Sequence, residues 1–346
     1  MIAARHRNIP VFIPQMGCPH ACVFCDQAAI TDGSRFNEGE VAPQIERALA
    51  TVPAGEPPEI AYFGGSFTGI DRGLMLRLLD LAAGYVRSGR ASGIRFSTRP
   101  DLIDEELLSV LKGYPISAIE LGLQSMDDRV LSASGRGYPA ERARSACRAV
   151  RKAGFPLVGQ MMVGLPESSP VSEIAAAREI CDLGAAACRI YPTVVFRNTA
   201  LEQMMKRGDY RPLTVEEAVA RSADVLEVFR SRGVSCLRIG LHASEQLSAA
   251  VAGPNHPALG ELTLGELYYR KLFAMARGQS LSGRMALRVP RGEASRAVGQ
   301  RRRNLSRLLR ETGVEVTRVW ETDCAEPELI PENDRHHERR KEQPCI

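Results

Sequence analysis

A chain of 346 residues with 44% hydrophobic and 25% charged side chains has the composition of an ordinary globular protein, which excludes a fibrous or wholly disordered one. Its length suits one barrel-sized domain plus an appendage. The first apolar run, residues 9–14, is far too short to cross a bilayer and nothing like a secretory signal precedes it, so a cytoplasmic protein with no membrane partner is expected. Net charge is only +4, yet between Arg284 and Arg318 ten arginines face three glutamates. That excess suits a polyanion-binding surface, and it also suits a merely solvated helix face.

In chain order, strand-like apolar runs fall at 9–14, 59–63, 93–98, 116–121, 155–162 and 186–192, with helical patterns at 41–50, 72–87, 104–111, 140–152 and 170–183. Such alternation predicts parallel βαβ units, and six of them make either a doubly wound sheet or an incomplete β/α barrel. Beyond Tyr191 the alternation stops. A long amphipathic helix over 214–232 and a short strand over 236–240 read as an extension, followed by a helix over 262–277. The polar, proline-punctuated tail from Glu326 is expected to be disordered over its last twenty or so residues.

Three of the nine cysteines crowd into Cys18-Pro19-His20-Ala21-Cys22-Val23-Phe24-Cys25, directly after the first strand. Barrel active sites are built at that rim. Three closely spaced thiolates can hold three irons of a cubane and leave the fourth iron open to a cofactor. The rival is a Cys₃His zinc site completed by His20, although that loop is cramped for a tetrahedron. Cys147, Cys181, Cys188, Cys236, Cys324 and Cys345 have no ligand-like spacing, and His242 is either a proton carrier at the barrel mouth or a surface histidine.

Further motifs close the other strands. Tyr62-Phe63-Gly64-Gly65-Ser66-Phe67 ends the second, where a glycine pair lets backbone approach a ligand, or simply turns the chain. Ser97-Thr98-Arg99-Pro100-Asp101 ends the third and Glu120-Leu121-Gly122-Leu123-Gln124-Ser125 the fourth. Glu120 is either a ligand contact or a core residue satisfied by neighbouring strands. Arg136 offers a bidentate fork for a carboxylate. Gly164-Leu165-Pro166 closes the fifth strand and Arg189-Ile190-Tyr191-Pro192 the sixth; Met161 and Met162 nearby suit core packing as well as a ligand pocket.

The pattern C-x₃-C-x-φ-C, with Phe24 before the last cysteine, resembles the radical S-adenosylmethionine (SAM) superfamily signature. The resemblance implies a partial (β/α)6 TIM-like barrel, a 4Fe-4S cluster on Cys18, Cys22 and Cys25, and reductive cleavage of SAM to a 5′-deoxyadenosyl radical, with ferredoxin or flavodoxin as electron donor. It places Phe24 near the adenine and Gly64, Gly65 and Ser66 at the SAM amino group. Ser97, Arg99, Glu120 and Gln124 fall at the ribose and carboxylate, and Leu165 and Tyr191 at the adenine rim. Residues 62–67, 98–101, 120–125 and 189–193 resemble the branch containing the Elongator catalytic subunit, whose radical SAM domain acts on the wobble uridine of transfer RNA. The similarity spans about residues 8–257 and includes no acetyl-CoA loop, so carboxymethylation is not carried over.

Residues 287–290, 294–298, 299–302, 304–312 and 314–319 read as strand, helix, loop, helix and strand, an order that resembles the minimal KH module. A KH loop is G-x-x-G; here Arg302 replaces the second glycine. The resemblance implies phosphate contacts by Arg301, Arg302 and Arg303, against the alternative of a small α+β cap. The expected domains are a barrel (1–200), an extension (201–280), a KH-like α+β module (281–322) and a tail (323–346). An RNA-modifying radical SAM enzyme is the leading reading. Its rivals are a small-molecule oxidase resembling the oxygen-independent coproporphyrinogen oxidases and an RNA-binding protein with a structural or sensor cluster.

Overall fold

Alternate strand residues that need to leave water build the first half of the molecule. In the computed structural model, residues 7–13, 16–19, 22–25, 36–53, 55–241 and 250–332 are described; His20, His242, Cys345 and the tail beyond 332 lie outside them. The chain divides into two units, Met1–Pro257 and Ala258–Ile346. Among the described residues no helix is long and apolar enough to cross a membrane.

In the first unit the strands are β1 (Asn8–Ile13), β2 (Glu59–Gly64), β3 (Gly93–Thr98), β4 (Ile116–Gln124), β5 (Leu157–Val163) and β6 (Ala187–Pro192). The helices between them are α1 (Val41–Leu49), α2 (Arg72–Arg87), α3 (Glu105–Leu111), the short α4 (Asp128–Ala133), α5 (Ala140–Lys152) and α6 (Pro170–Asp182). Helix starts follow their caps: Asp71 accepts from the Leu74 amide, Asp104 from Leu107, and Ser169 pairs reciprocally with Ser172, each such cap contributing about 1 kcal/mol.

A two-stranded pair, β7 (Val195–Phe196) and β9 (Ala250–Ala252), and the helices α7 (Ala200–Arg207) and α8 (Val215–Ser231) follow. The strand expected in the extension, β8 (Ser235–Ile239), instead lies parallel to β6 and completes a seven-stranded sheet ordered β1-β2-β3-β4-β5-β6-β8. The partial barrel is therefore there, with one parallel strand more than the six expected.

One sheet face is apolar and packs on helices: Tyr62 donates to the Leu78 carbonyl of α2 at 2.6 Å, and a Cβ on Gly159 would meet Ile180 of α6 at 2.5 Å. The other face is concave and charged. Glu120, with no solvent exposure, accepts from Arg95 of β3 at 3.0 Å, from Gln160 of β5 at 2.7 Å, and from Arg189 of β6 at 2.7 and 3.0 Å. Arg95 also donates to Glu59 of β2 at 2.8 Å, and the Arg189 guanidinium lies 5.3 Å from the centre of the Phe63 ring on β2. A residue of β6 reaches β4 and β2 because the sheet curls.

The second unit contains α9 (Leu259–Gly278), β10 (Gly283–Pro290), α10 (Ala294–Val298), α11 (Arg303–Thr312), β11 (Val314–Thr322) and β12 (Glu328–Pro331). The strand order is β11-β10-β12, with β10 parallel to β11 and antiparallel to β12. Helix α9, expected in the extension, shares a core with this sheet through Tyr269, Leu272, Leu287, Leu308 and Val314. The tail expected to be disordered from Glu326 begins as β12, tied to β10 by Arg288 and Glu328.

Burial alone would push the Glu120 carboxyl up, but Arg189, Arg95 and Gln160 hold it below the ordinary glutamate value of 4.5. A carboxyl whose folded pKa lies below its unfolded one stabilises the fold above the unfolded value, and that contribution disappears as pH falls through the folded one. Replacing Glu120 with Gln leaves two arginines without their shared counter-charge, at a cost of about 3–5 kcal/mol. Urea unfolding at pH 7 should register that loss. The variant should also depend less on pH below 4.5 than the parent; equal stability and pH dependence would contradict the network's role.

Candidate functional site

Backbone contacts set much of the position of the segment carrying Cys18, Cys22 and Cys25. The Gly65 amide donates to the Ile13 carbonyl at 2.8 Å and the Ser66 amide to the Met16 carbonyl at 3.0 Å. A Cβ on Gly65 would lie 2.0 Å from the Met16 oxygen, and one on Gly17, whose φ is +76°, would lie 2.1 Å from the Ser66 oxygen. These glycines let two chain segments touch. The backbone approach expected toward a ligand is thus made toward the cysteine loop, and the amides of Gly65 and Ser66 already have partners. What Ser66 does offer is its hydroxyl, 3.2 Å from the Cys18 thiol.

Further along, the Val23 amide donates to the Ser134 carbonyl at 3.1 Å, and the Leu201 amide of α7 to the Val23 carbonyl at 2.8 Å. Phe24, expected by resemblance near an adenine, packs with Val23 against Val195, Leu201 and Tyr210. It anchors the loop to α7.

Cys22 is the buried thiol of the three, and two arginines face it. Arg136 donates to its sulfur at 3.1 Å and Arg99 lies 3.8 Å away. Arg99 holds Asp101 through two hydrogen bonds of 2.9 Å and also reaches the Arg136 carbonyl. Arg136, 4% exposed, donates to the Tyr138 hydroxyl and to the Gly122 carbonyl. Its fork is therefore committed to protein groups, and the carboxylate clamp expected of it is replaced by a clamp on Cys22. Asp101, Ser134 and Tyr138 lie within the sequence motifs around Arg99 and Arg136, but the part each plays depends on loops after three different strands meeting.

Glu120, expected by resemblance at a ligand, has both oxygens saturated by Arg95, Arg189 and Gln160. The neighbour-satisfied alternative is the observed one. Gln124 differs: its backbone is left-handed, with φ +65°, and its buried Oε1 has no hydrogen-bond partner. A non-glycine residue held there with an orphaned acceptor is a strained, ligand-ready group. Ser97 and Tyr191 are half-buried and Leu165 is buried. The turn before Leu165 is fixed by Glu173, which accepts from the Gly164 amide at 2.6 Å and from Arg221 at 2.7 Å.

Donor chemistry and surroundings suit a thiolate-held group. Two guanidinium groups reach the Cys22 sulfur and a hydroxyl stands beside the Cys18 thiol, so polar groups surround the sulfurs of this loop. Among the described residues no three His, Cys, Asp or Glu side chains, Cys18, Cys22 and Cys25 included, are gathered closely enough to hold a metal ion, so the fit rests on the donor chemistry of three thiols on one loop.

Residues 12–176 match the model of the radical SAM superfamily, and residues 185–269 that of a radical SAM C-terminal domain. The chain belongs to the radical SAM superfamily. It is a radical SAM enzyme, and the cofactors of its superfamily are a 4Fe-4S cluster and SAM. It is 28% identical over 233 residues to an uncharacterized protein of Methanocaldococcus jannaschii, an alignment covering 64% of this chain and 71% of the relative. It is 26% identical over 242 residues to a tRNA uridine(34) acetyltransferase of Dehalococcoides mccartyi, covering 59% of this chain and 52% of the relative. The chain thus spans about half the length of that acetyltransferase. In fold it is similar to the archaeal Elp3 of Methanocaldococcus infernus, with a TM-score of 0.60 and 21% identity over 77% of this chain and 67% of that one.

In the second unit, Arg301, Arg302 and Arg303 are exposed on one turn. Seven of the ten arginines between 284 and 318 meet carboxylates: Arg284 and Arg318 meet Glu332, Arg288 Glu328, Arg291 Asp323, Arg296 Glu261, Arg307 Glu266 and Glu311, and Arg310 Glu311. Much of the charge excess read from the sequence is therefore matched within the folded unit. Arg302, standing where a KH loop has glycine, adopts the left-handed conformation that glycine favours, with φ +60° and ψ +22°.

Replacing Gly65 with Ala should displace the cysteine loop, because overpacking against fixed backbone costs about 1–3 kcal/mol. Gly84 of α2 is the control, since a Cβ there has only the end of Arg87 within 4.0 Å. After anaerobic reconstitution, the Gly65 variant should bind less iron while Gly84→Ala binds as much as the parent. Full iron in the Gly65 variant would show that the loop contact is dispensable.

Proposed function

We propose that this chain holds a 4Fe-4S cluster on Cys18, Cys22 and Cys25, binds SAM at the open iron, and modifies transfer RNA. The three closely spaced thiols of one loop, with the Cys22 sulfur held by Arg136 and Arg99, carry this reading, because three such ligands suit three irons of a cubane. When bound, cluster and SAM supply one-electron chemistry that ends in hydrogen-atom abstraction from the substrate.

The protein's own part is positioning. Arg136 and Arg99 hold the Cys22 sulfur, and the Ser66 hydroxyl lies within hydrogen-bond reach of Cys18. Gln124 offers its unpaired oxygen to a donor of SAM, an ammonium or ribose hydroxyl; Ser97, Leu165 and Tyr191 complete the pocket wall. Glu120 holds Arg95, Gln160 and Arg189 still beneath it. The name of the tRNA uridine(34) acetyltransferase relative supports an RNA substrate, and the exposed arginine turn supports a KH-like contact with its phosphates. A cytoplasmic setting and a ferredoxin or flavodoxin donor complete the proposal.

Anaerobically reconstituted protein should hold about four irons and cleave SAM to 5′-deoxyadenosine when reduced. Cys18→Ala, Cys22→Ala and Cys25→Ala should each abolish both. Stoichiometric zinc without iron–sulfur absorbance would sink the assignment.

For the RNA contact, replacing Arg301, Arg302 and Arg303 with Gln should flatten the log–log salt dependence of transfer RNA binding by about two units, at roughly 0.7 per phosphate. SAM cleavage should persist. An unaltered salt slope would leave the turn a decorated cap.

A further inference from the structure

Among the described residues the concave face has one more cation than its carboxylates match. Glu59 and Glu120 are taken by Arg95 and Arg189. Arg238 stands opposite Arg189 at a register shift between β6 and β8. It is half-buried, and among the described residues it pairs with no carboxylate: its guanidinium donates to the Leu241 carbonyl at 3.4 Å. Burial, with the like charge of Arg189 added, draws its pKa below the ordinary guanidinium value, partly opposed by the Tyr191 phenol.

A guanidinium partly removed from water beside a second cation is unfavourable until an anion joins it. Its fork suits the two oxygens of a phosphate or carboxylate. Location narrows the role. Arg238 lies near the C-terminal end of the last strand, at the rim where barrel sites gather. Strand β1, which leads into the cysteine loop, is at the opposite edge of the sheet.

We infer that Arg238 is an anion-binding residue of the substrate site, taking a phosphate or carboxylate group of the molecule that is held over the concave face. The inference rests on the reading of that face as the place of catalysis, but it can be tested without turnover.

The probes are inorganic phosphate and acetate, titrated into the full reconstituted chain and followed by calorimetry and thermal shift. The parent should bind phosphate or acetate saturably, Arg238→Gln at least tenfold more weakly, and Arg238→Lys in between, all three with matching circular dichroism. If the anion belongs to RNA, Arg238→Gln should also flatten the salt slope of transfer RNA binding by roughly 0.7 to 0.9 units. If it belongs to a small molecule's carboxylate, acetate should bind and that slope should stay as it is. No saturable binding by the parent, or equal affinity in Arg238→Gln, would overturn the inference. Because no step requires SAM cleavage, a failure of the radical reading would register separately, in the cleavage assay.

Discussion

A carboxylate with no access to water, Glu120, sets the terms for the rest of the barrel. Charge buried at that depth is tolerable only when matched by opposite charge and by hydrogen bonds to every oxygen. Arg95, Gln160 and Arg189 meet that condition from three other strands, which links β3, β4, β5 and β6 across one face. The opposite face has ordinary apolar packing against helices. A sheet with such a charged concavity curls around its network, and what the network leaves unmatched, Arg238, is available to something from outside.

The cysteine loop follows a different rule. It has few apolar side chains to bury, so its position comes from backbone contacts that only glycine permits, at Gly17 and Gly65, and from the Val23 hydrogen bonds to Ser134 and Leu201. Phe24 adds an apolar anchor toward α7. Arg99 and Arg136 then bring charge to the sulfur of Cys22. What positions the loop is therefore steric and electrostatic in kind.

Much of the fold is legible in the sequence because local signals agree. Asp71, Asp104 and Ser169 mark helix starts, and α2, β3, α5 and α10 have the bounds expected from residue pattern alone. Strand β8 was readable as a strand but not as part of the sheet, since Ser235–Ile239 is half-buried and lacks a clean apolar alternation. Strand β12 is short and lies in a polar stretch, so only its pairing with β10 identifies it. In the site, the cysteine spacing was visible, whereas the commitments of Glu120 and Arg136 were not, because each depends on partners from other strands and loops. The arginine excess near the C-terminus misleads for the same reason: Glu261, Glu266, Asp323, Glu328 and Glu332 lie outside the counted stretch and fold back onto it.

The central claim is that this barrel modifies transfer RNA through chemistry seated at Cys22 and its neighbours. Mass spectrometry of nucleosides from transfer RNA tests it most directly, comparing a deletion strain with strains complemented by the parent or by Cys22→Ala. The account predicts that one modified nucleoside disappears on deletion, returns with the parent gene and stays absent with Cys22→Ala. Identical nucleoside profiles in all the strains would contradict it.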